Sequence, residues 1–213
     1  MKINLEILDA SFIMDKKEIK ELKTKELVPK MVTRRRLTRA SKIAIYLANE
    51  VNYTKERIVF GSSFGELLST QTILSSIIDK EKISPTHFQN SVYNTAVSYL
   101  SILSENTHEI VTISTGDNTS ENILKAGAVK ALDGDEILLI GIETLNIPHI
   151  TEINKCIDYL ECGVALRVKI SSGIANLTIS SETKQKIPKS LMGLLSIASQ
   201  CQNDTTNIIE VEL

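Results

Sequence analysis

The stretch ISTGDNTSENILKAGAVKALDGDEILLIGIETLNIP, residues 113–148, decides the fold. It opens on the end of a short β-branched run, Ile110-Val111-Thr112-Ile113-Ser114, stopped by Gly116. Such residues favour strands, and a glycine closes them. Asp117 to Leu132 then reads as a helix carrying small residues (Ala126, Gly127, Ala128, Ala131). Asp117 is placed to cap that helix with its carboxylate, where negative charge also suits the helix dipole. Asp133-Gly134-Asp135 makes a turn. Ile137 to Ile142 is the most apolar run, of the kind found in a central parallel strand. Strand, helix and buried strand in this order are an α/β unit.

Toward the N-terminus, residues 2–9 alternate apolar and polar and predict a strand. Helical spacing begins near Thr38, with Ile43, Ala44, Leu47 and Val51 on one stripe. Ile58-Val59-Phe60 is a second strand, ended by Gly61. Ser62 and Ser63 are placed to cap a helix carrying Phe64, Leu67, Leu68, Ile73, Leu74 and Ile77. From Pro85 to Ile102 the period is again helical. Toward the C-terminus, 163–170 and 174–180 read as a hairpin around Ser171-Ser172-Gly173. Residues 191–198 predict a short helix and 208–213 a last strand. The resulting sheet is mostly parallel, with an antiparallel edge near the C-terminus.

The chain has 213 residues, enough for one ordinary domain with a full core. Apolar residues make up 42% and charged residues 23%, which excludes disorder. A net charge of -2 and only 4% aromatics weigh against nucleic-acid binding. No apolar run approaches the ~20 residues that span a bilayer. The start, MKINLEILDASFIMDKKEIK, holds Glu6 and Asp9 inside its apolar stretch and does not read as a signal peptide. Cys156, Cys162 and Cys201 form no CxxC pair and suit a reducing cytoplasm.

Few constellations carry chemistry. His87, His108 and His149 are scattered without metal-ligand spacing, so no metal is expected. Gly61-Ser62-Ser63-Phe64-Gly65 formally matches GxSxG with Ser63 at its centre, but no Asp-then-His context follows. The bland alternative is a capped helix with glycines for close packing. Thr115-Gly116-Asp117 ends a strand where free amides can bind an anion, and Asp117 fills that place itself. Arg34, Arg35, Arg36 and Arg39 form a basic cluster, either a solvated helix entrance or a docking face for an acidic partner.

Four segments in order resemble one family: LVPKMVTRRRLTR (27–39), IVFGSSFGELLSTQTIL (58–74), ISPTHFQNSVYNTAVSYLSI (83–102) and the opening stretch. Together they resemble the N-terminal half of a β-ketoacyl synthase. They are most similar to the short synthase-like chain-length factors of aryl polyene pathways. The resemblance implies one thiolase-like domain over 1–213. It implies a mostly parallel five-stranded sheet, helices on both faces and an antiparallel C-terminal edge.

In that family a cysteine follows a T-A turn; Thr115-Gly116-Asp117 matches it, so Asp117 occupies the nucleophile's place. A carboxylate cannot carry an acyl group as a thiolate does. The family's catalytic histidines belong to a second half for which this chain has no room. The resemblance therefore implies a non-catalytic subunit, without cofactor or metal. It would pair with a catalytic ketosynthase in polyketide or fatty-acid-type biosynthesis, shape its acyl tunnel and meet an acyl carrier protein.

Strand 110–115 would pair antiparallel with its counterpart across a two-fold axis, covering an edge otherwise open to aggregation. Phe64 matches a residue at the tunnel floor, and Leu67, Leu68 and Gln71 on neighbouring faces would limit its depth. His87 and Phe88 match a loop reaching toward the partner, and Arg34, Arg35, Arg36 and Arg39 would dock the carrier. Tyr93 precedes Asn94 in the SV-x-N motif, where close relatives tend to have His. For each of these residues plain packing is the alternative. Two rival functions stand beside this one. The first is a stand-alone acyl-thioester enzyme using Ser63 or Asp117. The second is a homodimeric acyl-binding module.

Overall fold

The computed structural model describes residues 1–180, 186–201 and 205–213. β1 spans Lys2–Asp15, with Ile3, Leu5 and Ile7 buried. It outruns the expected 2–9 because a register shift between Ile7 and Asp9 resets its alternation without ending it. Two one-turn helices follow, α1 (Thr24–Leu27) and α2 (Met31–Arg34). α3 (Arg39–Glu50) starts where Thr38 Oγ1 accepts the Ser41 N–H at 3.1 Å, and buries Ile43, Ala44 and Leu47 completely. β2 (Arg57–Gly61), α4 (Leu67–Ile78), α5 (Pro85–Asn90), α6 (Thr95–Ser104) and β3 (Ile110–Ile113) come next. After them run α7 (Thr119–Ala131), β4 (Ile137–Thr144), α8 (Ile150–Ile153), β5 (Glu161–Ser171), α9 (Met192–Gln200) and β6 (Asn207–Glu212).

The described residues build one six-stranded sheet in the order β3-β2-β4-β5-β1-β6. β2 pairs parallel with β3 and β4, as the central unit predicts. The other three pairings, β4–β5, β5–β1 and β1–β6, are antiparallel. The sheet thus has six strands rather than five, and its parallel part is confined to three of them. The connection between β4 and β5, residues 145–160, holds only the single turn of α8 and not the helix that usually carries a parallel crossover.

Alternate residues of the central strands feed two cores. Ile58, Phe60, Leu138 and Ile140 meet α3 and α6 on one face; Val59, Ile137 and Leu139 meet α7 and α9 on the other. Gly61 allows the close approach of α7, since a Cβ there would strike Ile123 and stand 2.7 Å from Thr119 Cγ2.

Three local expectations change. The hairpin does not form: β5 is already paired on both edges, so 174–180 has no strand to return on. That segment instead touches β6, where the Asn176 and Leu177 N–H groups donate to the Ile208 carbonyl at 3.0 Å. The helix placed at Phe64 begins at Leu67, because Gly65 takes φ +61, a left-handed value that a helix excludes. Asp117 is no cap: it lies in a 3-10 turn, Gly116–Asn118, and Thr119 Oγ1 instead accepts the Thr115 N–H and donates to the Gly116 carbonyl. The 85–102 segment also splits into α5 and α6.

Candidate functional site

The carboxyl ends of β2, β3 and β4 lie side by side, and chemistry gathers there. β2 delivers the turn Ser62-Ser63-Phe64, β3 leads into Asp117, and β4 delivers Glu143. Glu143 is fully buried. One carboxylate oxygen accepts from the Ser63 N–H at 2.6 Å and the Ser190 hydroxyl at 2.7 Å. The other accepts from the Ser62 hydroxyl at 2.9 Å and the Phe64 N–H at 3.2 Å. Burial pushes its pKa above the usual carboxylate range, against the opposing pull of these donors.

A cleft of about 420 Å³ opens beside this turn. Phe64 and Asp117 line it, together with Cys156, Ile157, Lys189 and Ser190. Phe64 is 43% exposed. Asp117 is solvent-facing, and its only described ionic neighbour is the Lys189 ammonium at 3.8 Å. No histidine lines this cleft, so Asp117 has no imidazole base there. Burial raises the thiols of Cys162 to about 12 and Cys201 to about 11, which leaves both protonated and unreactive near neutrality. No cluster of three metal-ligating side chains occurs among the described residues.

His87 lies elsewhere. With Arg35, Arg36, Arg39 and Leu68 it lines a second cleft of about 240 Å³ beneath α3 and α4. Glu66, at the base of that cleft, is buried and accepts the Thr38 hydroxyl at 2.6 Å. Desolvation raises its pKa to about 7.

The basic cluster divides in two. Arg34 turns inward to donate to the Val28 and Pro29 carbonyls, and Arg39 grips buried Glu161. Arg35 and Arg36 stay exposed. Leu67 and Gln71 are half-buried on α4, and Phe88 is 68% exposed. Tyr93 covers Gly65 with its ring and donates its hydroxyl to the Ser63 carbonyl at 3.4 Å. Asn94 is exposed just before α6.

Glu143, Ser190, Glu66 and Glu161 were not singled out by sequence reading. Glu143 carried a signal: it is the one charged residue in ILLIGIET. A carboxylate at the end of so apolar a strand needs buried donors.

The family model described as the beta-ketoacyl synthase N-terminal domain matches residues 13–211. A chain of the solved ketosynthase in complex with its chain length factor from Xenorhabdus doucetiae superposes with TM-score 0.71. Identity is 23% over 94% of this chain and 93% of that one. The ishigamide ketosynthase/chain length factor gives TM-score 0.64 at 9% identity, over 83% of this chain and 64% of that one. A beta-ketoacyl synthase from Burkholderia phymatum STM815 gives 0.54 at 13% identity, over 67% and 44%. No curated protein matches. The shared architecture is thiolase-like, with helices on both faces of the mixed sheet, and the chain belongs to the β-ketoacyl synthase N-terminal domain family.

Proposed function

We propose that this chain is a non-catalytic, chain-length-factor-type subunit that pairs with a catalytic β-ketoacyl synthase and shapes its acyl tunnel. The observation that carries the reading is the outer edge of β3, which has no strand beside it among the described residues and runs into the Asp117 turn. The Ile58 N–H donates to Glu109 and the Ser62 N–H to Ile113, so residues 109, 111 and 113 face β2. Ile110 and Thr112 therefore turn their backbone groups outward, ready for a partner strand. Exposed apolar side chains on α4 and α5, Leu68, Leu74, Ile77 and Phe88, would also suit contact with a partner subunit. The resemblance sets Asp117 at the nucleophile's position, and no histidine lines its cleft; both support a subunit that does not condense by itself.

Phe64 would wall the acyl tunnel, and Leu67, Leu68 and Gln71 would back it. His87, Phe88, Tyr93 and Asn94 would reach the partner. Arg35 and Arg36 would receive an acidic acyl carrier protein, with Arg34 and Arg39 holding the segment that presents them. The aryl polyene setting and a cytoplasmic location belong to this proposal. No helix among the described residues is long and apolar enough to cross a membrane.

Co-expression with a catalytic synthase from the same source, followed by size exclusion with light scattering, tests the pairing. A one-to-one heterodimer is expected. Thr112→Pro removes an outward N–H without touching the β2 ladder and should split that heterodimer. Separate elution of the two wild-type chains, a stable homodimer that ignores the synthase, or condensation of acyl and malonyl units by this chain alone would overturn the reading.

A further inference from the structure

We propose that Glu143 is the positioning residue of the Phe64 cleft, clamping the Ser62–Phe64 turn to the C-terminal segment at Ser190 and so fixing how far apart the two walls stand. The inference rests on the reading of Phe64 as a tunnel-wall residue and deepens it.

The geometry is specific. One oxygen of Glu143 holds the Ser63 amide and the Ser190 hydroxyl together, and the other holds the Ser62 hydroxyl and the Phe64 amide. Ser62 Oγ in turn accepts the Gly65 N–H at 2.8 Å, so three successive amides of the turn reach the carboxylate directly or through one hydroxyl. Ser62 is 2% exposed and Ser190 1%, so water does not substitute for the two hydroxyl contacts. Every one of them is a donor, which an ionised carboxylate satisfies and a carboxamide does not.

Both walls of the cleft depend on this group. Phe64 projects from the clamped turn. Ser190 sits beside Lys189, whose ammonium lies near Asp117. A side chain that only filled space at 143 would leave two buried hydroxyls and two part-buried amides without their acceptor. The turn would then have no reason to keep Phe64 at one depth.

The test joins two readouts. In the isolated chain, amide hydrogen exchange follows Ser63 and Phe64 against β2 and β4. Glu143→Gln should speed exchange at Ser63 and Phe64 by about tenfold, the factor expected for losing hydrogen bonds to a charged acceptor, with the β2 and β4 amides unchanged. Unchanged exchange at Ser63 and Phe64 would overturn the proposal.

Should Glu143→Gln loosen the strands as well, Ser190→Ala decides. It keeps three of the four donors, and should speed exchange at Ser63 and around Leu191 while the sheet stays protected. No change at either place would overturn the clamp.

In the complex with the synthase, product lengths are read by mass spectrometry. Both variants should broaden the distribution in the direction given by Phe64→Ala. A shift with Phe64→Ala but none with either clamp variant would overturn the proposal alone. No shift with Phe64→Ala would overturn the tunnel reading and this proposal's link to product length, and exchange would still decide whether Glu143 holds the turn.

Discussion

Arg39 and Glu161 form a two-point ion pair: Arg39 Nε donates to one carboxylate oxygen at 2.9 Å and Nη2 donates to the other. The same Nη2 donates to the Ile19 carbonyl at 2.8 Å, and the Ile19 N–H donates to Glu161 at 2.8 Å. The unit ties the lysine-rich segment to the starts of α3 and β5. Arg39→Met leaves a buried carboxylate without its cation and should cost about 3 kcal/mol in urea unfolding. Arg35→Ala and Arg36→Ala should stay within about 0.5 kcal/mol of the wild type. They should instead weaken binding of an acidic carrier protein, most visibly at low salt. Equal destabilisation by all three would contradict this division of the cluster.

Glu66 gives the chain a pH signature. Its folded pKa is raised to about 7 from an ordinary 4.5, chiefly by burial. The folded state then binds the proton more tightly than the unfolded one. Stability from this group is complete below pH 4.5 and is lost as pH rises through 7. Glu66→Gln keeps the shape and removes the charge. It should therefore be more stable than wild type at pH 8, by an amount approaching about 3 kcal/mol, and show no such advantage at pH 4. Parallel stability curves for the two proteins across that range would remove Glu66 as the cause.

A cysteine placed at position 117 should not make this chain a condensing enzyme. Asp117→Cys should be alkylated by iodoacetamide, since position 117 faces solvent in the wild type. It should show no acyl–malonyl condensation above the protein-free reaction, because no histidine lines the cleft to assist a thiolate. Turnover by this variant alone would show that a base had been missed.

Gly61→Ala should destabilise the chain by about 1–3 kcal/mol, as overpacking does. Its methyl would strike Ile123 and press on Thr119, moving α7 away from β2. Thermal unfolding reads the loss, and Gly61→Ala combined with Ile123→Val should recover part of it.

Much of this architecture was legible because burial and periodicity are local. Ile137 to Ile142 announced a strand covered on both faces, and Thr38 announced the start of α3. Strand direction was less legible. Nothing in the β5 sequence says that both its edges are taken, and the expected hairpin failed for that reason. At the candidate site, Phe64 and Asp117 were found by resemblance and do share a cleft. His87, matched to a loop that reaches toward a partner, lines the other cleft. Glu143 and Ser190 are 47 residues apart, and their contact depends on where α9 docks. Long-range pairing of that kind leaves no period to read.

The order of the sheet also sets a ruler. The two chain ends lie together on one side, where the Leu213 N–H donates to the Met1 carbonyl and Lys2 pairs with Glu210. β3 lies on the other, five strand spacings away, or about 24 Å. A fluorophore at either end therefore stands clear of any partner that adds to β3. In an assembly joined edge to edge, two such labels would sit about 50 Å apart across one continuous sheet, a separation that energy transfer between dyes can gauge.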